Sequence, residues 1–93
     1  MRFEWDAKKA SENFAKHGVH FYEAAEVFYD RNALDDYDAE HSTIEARFFI
    51  IGLSTRRLLF VVYTEPEADV VRIISARKAG RLEREVYEQE VNP

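Results

Sequence analysis

VVRIISARKAGRLEREVY, residues 70–87, reads as a buried strand running directly into a charged helix. Val70, Val71, Ile73 and Ile74 are strand formers. Arg72 interrupts them with a charge that must meet water, an anion or a carboxylate. Gly80 can act as the N-cap of the helix, and Glu83, at its third position, supplies half of a capping box. Arg77, Lys78, Arg81 and Arg84 therefore gather round a helix N-terminus that is itself weakly positive. The joint favours an anion. That anion is either a nucleic-acid phosphate or one of the protein's own carboxylates.

Two further strands precede this segment, Arg47–Leu53 (RFFIIGL) and Leu58–Tyr63 (LLFVVY). The links between the three strands are short, which predicts an antiparallel meander, since a parallel crossover needs about a dozen residues or more. Pro66 suits the turn before Val70. The strands are almost continuously apolar, without the alternation of a sheet wetted on one side, so both faces should be covered by helices or by another chain. Gly52 inside a strand signals a bulge or a close backbone approach.

Upstream, Phe3-Glu4-Trp5 alternates like a short edge strand, and Asp6 is a good N-cap for a helix carrying Ala7, Ala10 and Phe14 on one face. Gly18 after Lys16-His17 is a natural stop. Phe21, Ala24, Ala25 and Phe28 then space out a second helix. Ala33–Tyr37 is a weak strand within an acidic stretch. The last helix, from Arg81 to about Glu90, should turn Leu82, Val86 and Tyr87 inward. The expected fold is α+β in one domain, residues 1–93. An N-terminal helix pair packs on an antiparallel sheet of three to five strands, with a C-terminal helix.

Ninety-three residues can bury one small core. With 46% apolar and 33% charged residues, three Gly and two Pro, the chain should fold rather than remain disordered. It contains no cysteine, which excludes disulfides and thiolate metal sites. No apolar run approaches the ~20 residues that span a bilayer, and the charged start MRFEWDAKK lacks the core of a signal peptide. No membrane association is expected, and a cytoplasmic location is. The net charge is −5, but it is unevenly spread. Residues 1–55 hold six Lys/Arg against eleven Asp/Glu, whereas residues 56–84 hold seven against four. A basic patch on an acidic body is permitted.

The sequence has no phosphate loop, dinucleotide fingerprint, nucleophile elbow or paired histidines at metal spacing. No metal or cofactor is expected. His20 reads as a cap or surface group. His41, in EHSTIEAR, is either a proton-transfer group or a turn residue bonded to Glu40, Ser42 or Glu45. Arg72 is either a phosphate ligand or the partner of Glu65, Glu45 or Glu83. Glu83 and Tyr87, at i and i+4, can touch.

FEWD (3–6), KHGVHF (16–21), EAAEVF (23–28), HSTIEAR (41–47), IGLS (51–54), VVYTE (61–65), RIISARKA (72–79) and E-x-x-x-Y (83–87) occur in an order that resembles the BrnT toxins of bacterial type II toxin–antitoxin systems. Gly80 stands where those toxins often carry Thr or Ser. The resemblance implies a RelE-like ribonuclease fold and an RNA-cleaving, growth-arresting toxin. Its partner would be a BrnA-type antitoxin that dimerises through a ribbon-helix-helix unit, giving a heterotetramer that reaches operator DNA only through the antitoxin.

On that footing, RNA would be cut without metal by attack of a ribose 2′-hydroxyl on the neighbouring phosphorus. Arg72 and Arg77 would stabilise the phosphate charge, and Glu83 would be the base or the orienter of an arginine. His41 would be the acid–base partner. Lys78, Arg81, Arg84 and Lys16 would align the RNA backbone, while Tyr87 would stack on a base or donate through its hydroxyl. Two other classes stay open at this level: a binding module that cuts nothing, and an oligomerisation unit whose apolar sheet is covered by a second protein.

Overall fold

Asp6 accepts the backbone N–H of Lys9 at 2.9 Å and so starts helix α1, Ala7–His17. Gly18 ends it with φ at 68°, its N–H on the Phe14 carbonyl at 2.8 Å, a left-handed stop that a residue without Cβ takes at little cost. Helix α2, Phe21–Glu26, follows, and a 3-10 turn at Val27–Tyr29 continues it. The strands are β1 (Arg2–Glu4), β2 (Leu34–Tyr37), β3 (Arg47–Leu53), β4 (Leu58–Glu67) and β5 (Val70–Lys78), and helix α3 is Arg81–Val91. This computed structural model describes residues 1–92.

The strands form one sheet in the order β1-β5-β4-β3-β2. The meander of β3, β4 and β5 is antiparallel, as its short links require, and β2 joins β3 antiparallel as well. The sheet as a whole is mixed rather than antiparallel, because β1 runs parallel to β5 with Phe3 opposite Val71. Short links constrain only strands that follow one another. Between β1 and β5 lie two helices and three strands, enough chain for either direction.

Pro66 does not make the β4–β5 turn. That turn falls at Ala68–Asp69, where Asp69 takes φ 62°. Pro66 sits in the irregular pairing between Thr64 and Glu67, a bulge that tolerates its missing N–H.

Helices α1 and α2 cover one face of the sheet, where Phe21, Ala24 and Val27 join Leu59, Val61 and Ile73 in the main core. Gly52 lets this layer close. A Cβ there would lie 2.8 Å from Cγ1 of Val27 and 3.0 Å from Cβ of Ala33. Asn13 ties α1 to β5: its amide nitrogen donates to the carbonyls of Val19 (3.0 Å) and Ala76 (2.9 Å), and its oxygen accepts the Ala76 N–H at 3.0 Å. β1 pairs only with Val70–Arg72, so the Asn13 amide takes the place of a strand beside Ala76.

Helix α3 lies on the opposite face, where Tyr87 packs with Ile51 and Leu58. Leu82 and Val86 were expected to turn inward, yet they are 75% and 49% exposed. The inward positions are Glu83 and Tyr87, one turn apart. Each is fixed by a polar bond, Glu83 to Arg77 and the Tyr87 hydroxyl to Asp30 at 2.6 Å. With a single large apolar side chain on its inner face, α3 takes its rotation from these two bonds.

Candidate functional site

Alternation along β3 and β4 sends Ile50, Leu59 and Val61 towards α1 and α2, and Phe49, Ile51 and Phe60 to the other face. Helix α3 closes only the Ile51–Leu58 end of that second face. Phe49, Val62 and Ser75, aligned across β3, β4 and β5, stay half-buried. Cations mark both ends of this partly open strip.

At the α3 end, Arg77 is paired across the sheet with Phe60, and its guanidinium carbon lies 4.3 Å from the ring centroid. Phe60 in turn stacks on Phe49, with centroids 5.3 Å apart and planes within 18°. Nη1 and Nη2 of Arg77 donate to the two carboxylate oxygens of Glu83 at 2.8 and 2.6 Å. Nη1 also donates to the Lys78 carbonyl at 3.2 Å. The same Glu83 carboxylate accepts the Gly80 N–H at 2.6 Å. That is the acid half of a capping box, and glycine has no side chain to supply the other half.

The hydrogen bonds from Arg77 hold the Glu83 carboxyl below its ordinary range, and the Glu83 carboxylate raises Arg77. Glu83 is therefore ionised but weakly basic. Arg77 keeps its Nε–H and one Nη2–H, the side-on fork that suits a phosphate. Lys78, Arg81 and Arg84 are exposed; Arg81 reaches Glu85 at 3.3 Å, and Lys78, paired with Leu59, points to the α1–α2 side of the sheet.

At the other end, Thr64 is paired with Arg47 on one side and Arg72 on the other. Arg72 donates through Nε and Nη2 to one oxygen of Glu4, at 2.7 and 2.6 Å. Its carboxylate is thus the β1 residue directly across the ladder, and not Glu45, Glu65 or Glu83. His41 lies in a 3-10 turn after β2, its Nδ1 3.0 Å from Asp38.

The residues anticipated from sequence consequently form two groups. Arg77 and Glu83 meet at the α3 end, Arg81 and Arg84 stand on the same helix, and Lys78 follows Arg77 on β5 but faces the other side of the sheet. Arg72 and His41 belong to the far end, and Arg72 and Arg77 pair with Thr64 and Phe60, four residues apart on β4, about 13 Å at ~3.3 Å per residue. Lys16 lies on α1 beside Ser75, at the β5 edge. Tyr87 is buried, and burial together with its bond to Asp30 pushes its hydroxyl up to about 12. Its ring packs on Ile51 and Leu58 rather than facing solvent.

Sequence reasoning passed over Phe49, Phe60 and Arg47. RFFIIGL and LLFVVY are apolar on both faces, so a period of two could not tell which aromatics look outward. It also passed over the ion pair of Arg57 with Glu23, in which Nε and Nη2 donate to the carboxylate at 2.9 and 2.7 Å. That bond, with Ser54 Oγ donating at 2.7 Å, lowers the Glu23 carboxyl and fastens the β3–β4 turn to α2. Among the described residues, no three His, Asp or Glu side chains are grouped to hold a metal ion. No helix among them is long and apolar enough to cross a membrane.

Residues 5–83 match the family described as the ribonuclease toxin BrnT of type II toxin–antitoxin systems. The chain belongs to the BrnT family. Membership makes it a ribonuclease toxin, with RNA as substrate and an antitoxin as partner. The matched stretch contains Arg47, Arg72, Arg77 and Glu83, and ends before Arg84 and Tyr87. The fold is similar to the 1.1 Å crystal structure of the Brucella abortus ribonuclease toxin BrnT, with a TM-score of 0.68 and 23% identity. The likeness covers 87% of this chain and 99% of that one. No curated protein matches the sequence.

Proposed function

We propose that this BrnT chain is an endoribonuclease that cuts RNA by attack of a ribose 2′-hydroxyl on the adjacent phosphorus, with guanidinium groups in the charge-stabilising role. The observation that carries the reading is the Arg77 fork. A planar cation is stacked on Phe60, braced by Glu83 and left with two parallel N–H groups at the border of a half-open sheet face. Catalysis of this kind relies on placement and fixed positive charge, and a braced arginine needs little reorganisation when the phosphorane forms.

Glu83 is the orienter of Arg77 and not the general base. Its lowered pKa and its three accepted bonds both argue against proton abstraction at neutral pH. Asp38 fixes Nδ1 of His41 and leaves Nε2 open, but His41 is out of reach of the Arg77 fork, so it serves RNA at the far end of the strip and not the phosphate that Arg77 holds. His41 lies beyond β2, near the Arg47 end of β3, with β3 and β4 between it and Arg72. Lys78, Arg81, Arg84 and Lys16 supply the salt-sensitive attraction for the RNA backbone. Tyr87 positions α3.

The antitoxin is of the BrnA type, in a heterotetramer with two toxins outside an antitoxin dimer, and the antitoxin supplies operator binding. Support for this comes from the family and from the exposed carboxylates of Asp35, Asp36, Glu40 and Glu45, which suit a basic partner. Mass measurement of the co-expressed complex tests it.

The cleavage reading is tested by incubating antitoxin-free protein with end-labelled RNA in EDTA. Fragments ending in 2′,3′-cyclic phosphate, with 5′-hydroxyl partners, are expected. Cleavage that appears only with added divalent metal, or that leaves 5′-phosphates, would overturn the mechanism.

A further inference from the structure

We infer that the Arg47–Thr64–Arg72 row is a second phosphate subsite, which grips the RNA backbone at a phosphate not adjacent to the one held by Arg77. The inference rests on the ribonuclease reading above and extends it along the sheet.

Thr64 is fully buried, and its hydroxyl oxygen has no hydrogen-bond partner among the described residues. A buried donor left unmatched is destabilising, and valine would fill the same space without that penalty. The register sets Thr64 between Arg47 on β3 and Arg72 on β5. Arg72 and Arg77 each hold a carboxylate, whereas Arg47, half-buried, makes no ion pair among the described residues. Asp38, which bonds the Arg47 carbonyl through its N–H at 2.8 Å, already has its side chain on His41. The Arg47 N–H is fixed as well, on Ser42 Oγ at 2.9 Å.

A partly desolvated cation with no counter-ion among the described residues is therefore the cross-strand partner of a residue whose hydroxyl has no acceptor. Both lack the same thing, an anionic oxygen. Four residues of β4, from Thr64 to Phe60, separate this row from the one holding Arg77, about 13 Å at ~3.3 Å per residue. Neighbouring phosphates on one strand lie closer than that. The floor between the two subsites is Phe49, Val62 and Ser75.

The test is binding of an uncleavable 2′-O-methyl RNA octamer, followed by fluorescence anisotropy across a salt series. Thr64→Val should melt no lower than wild type yet bind the octamer about tenfold more weakly, since a hydrogen bond to a charged group is lost. Arg47→Ala should reduce the slope of log affinity against log salt by about 0.7, the value for one single-strand phosphate contact. Arg47→Lys should restore that slope. Wild-type affinity and slope in Thr64→Val and Arg47→Ala, in protein that still cuts RNA, would remove the subsite and leave the ribonuclease reading standing. Wild-type protein that neither binds the octamer nor cuts RNA would overturn both.

Discussion

Glu83 binds Arg77 through both carboxylate oxygens, at 2.8 and 2.6 Å, and uses one of those oxygens to cap α3 through the Gly80 N–H at 2.6 Å. One side chain therefore sets the plane of a guanidinium on the sheet and the first turn of the helix that borders it. The Glu83 carboxyl is lowered mainly by the Arg77 hydrogen bonds. A group whose folded pKa lies below its unfolded value stabilises the fold above the unfolded value, and that contribution is lost as pH falls through the folded one. Wild type and Glu83→Gln should differ by about 1–2 kcal/mol at pH 7. In urea melts the gap should narrow only below about pH 4.5, the ordinary carboxyl value. A gap that stays constant down to pH 3 would show that the carboxylate charge is not what matters.

Arg57 and Arg72 are both ion-paired but should differ in how much stability alanine costs. The Glu23 side chain beside Arg57 is only 8% exposed, and Arg57→Ala leaves that carboxylate buried without its cation. A loss of about 3 kcal/mol in denaturant unfolding is expected. The Arg72–Glu4 pair is far more exposed, at 44% and 35%, so Arg72→Ala should lose less than about 1 kcal/mol. Cleavage of labelled RNA should nonetheless fall on the order of 10²-fold. A folded Arg72→Ala variant that cuts at the wild-type rate would remove Arg72 from the site.

Tyr87→Phe keeps the ring against Ile51 and Leu58 and deletes only the hydroxyl that bonds Asp30. The expected loss is about 1 kcal/mol. Burial and the Asp30 bond raise the Tyr87 hydroxyl from 10.0 to about 12, so its contribution is complete below pH 10 and disappears as pH rises to about 12. Parallel melts of the two proteins between pH 8 and pH 12 should converge at the alkaline end.

Gly52→Ala tests the close approach of β3 to the turn after α2. The new methyl would meet Val27 at 2.8 Å and Ala33 at 3.0 Å, so one of the two must shift. A loss of about 1–3 kcal/mol, the usual range for an overpacked core, should appear in thermal or urea unfolding. Gly80→Ala is the control, since its Cβ would meet only the Glu83 carboxylate at 3.4 Å.

Local chemistry was readable along the chain. The Asp6 cap, the Gly18 stop and the Glu83 half-box follow from what one residue can do to its immediate neighbours, and each is present; the missing Cβ of Gly52 signalled a close approach without naming Val27 or Ala33. What could not be read depends on distant neighbours. Nothing in Arg2–Glu4 says which way it will lie against a strand met some 70 residues on. Leu82 and Val86 look like the buried stripe of α3 until the bonds of Glu83 and Tyr87, to partners on β5 and beside β3, rotate the helix away from them. The site followed the same division. RIISARKA marked Arg72 and Arg77 together, but strand geometry sets them at opposite ends of one strip. Arg47 acquires meaning only once Thr64 is placed beside it.

The Asn13 amide has a consequence for how the protein behaves at high concentration. Beyond Arg72 the outer side of β5 is unpaired by any strand, and a bare ladder of N–H and C=O groups is a template on which another molecule's backbone can zip. By occupying both Ala76 groups from an anchored helix, Asn13 blocks that ladder midway. The margin is thereby closed to strand pairing at Ala76.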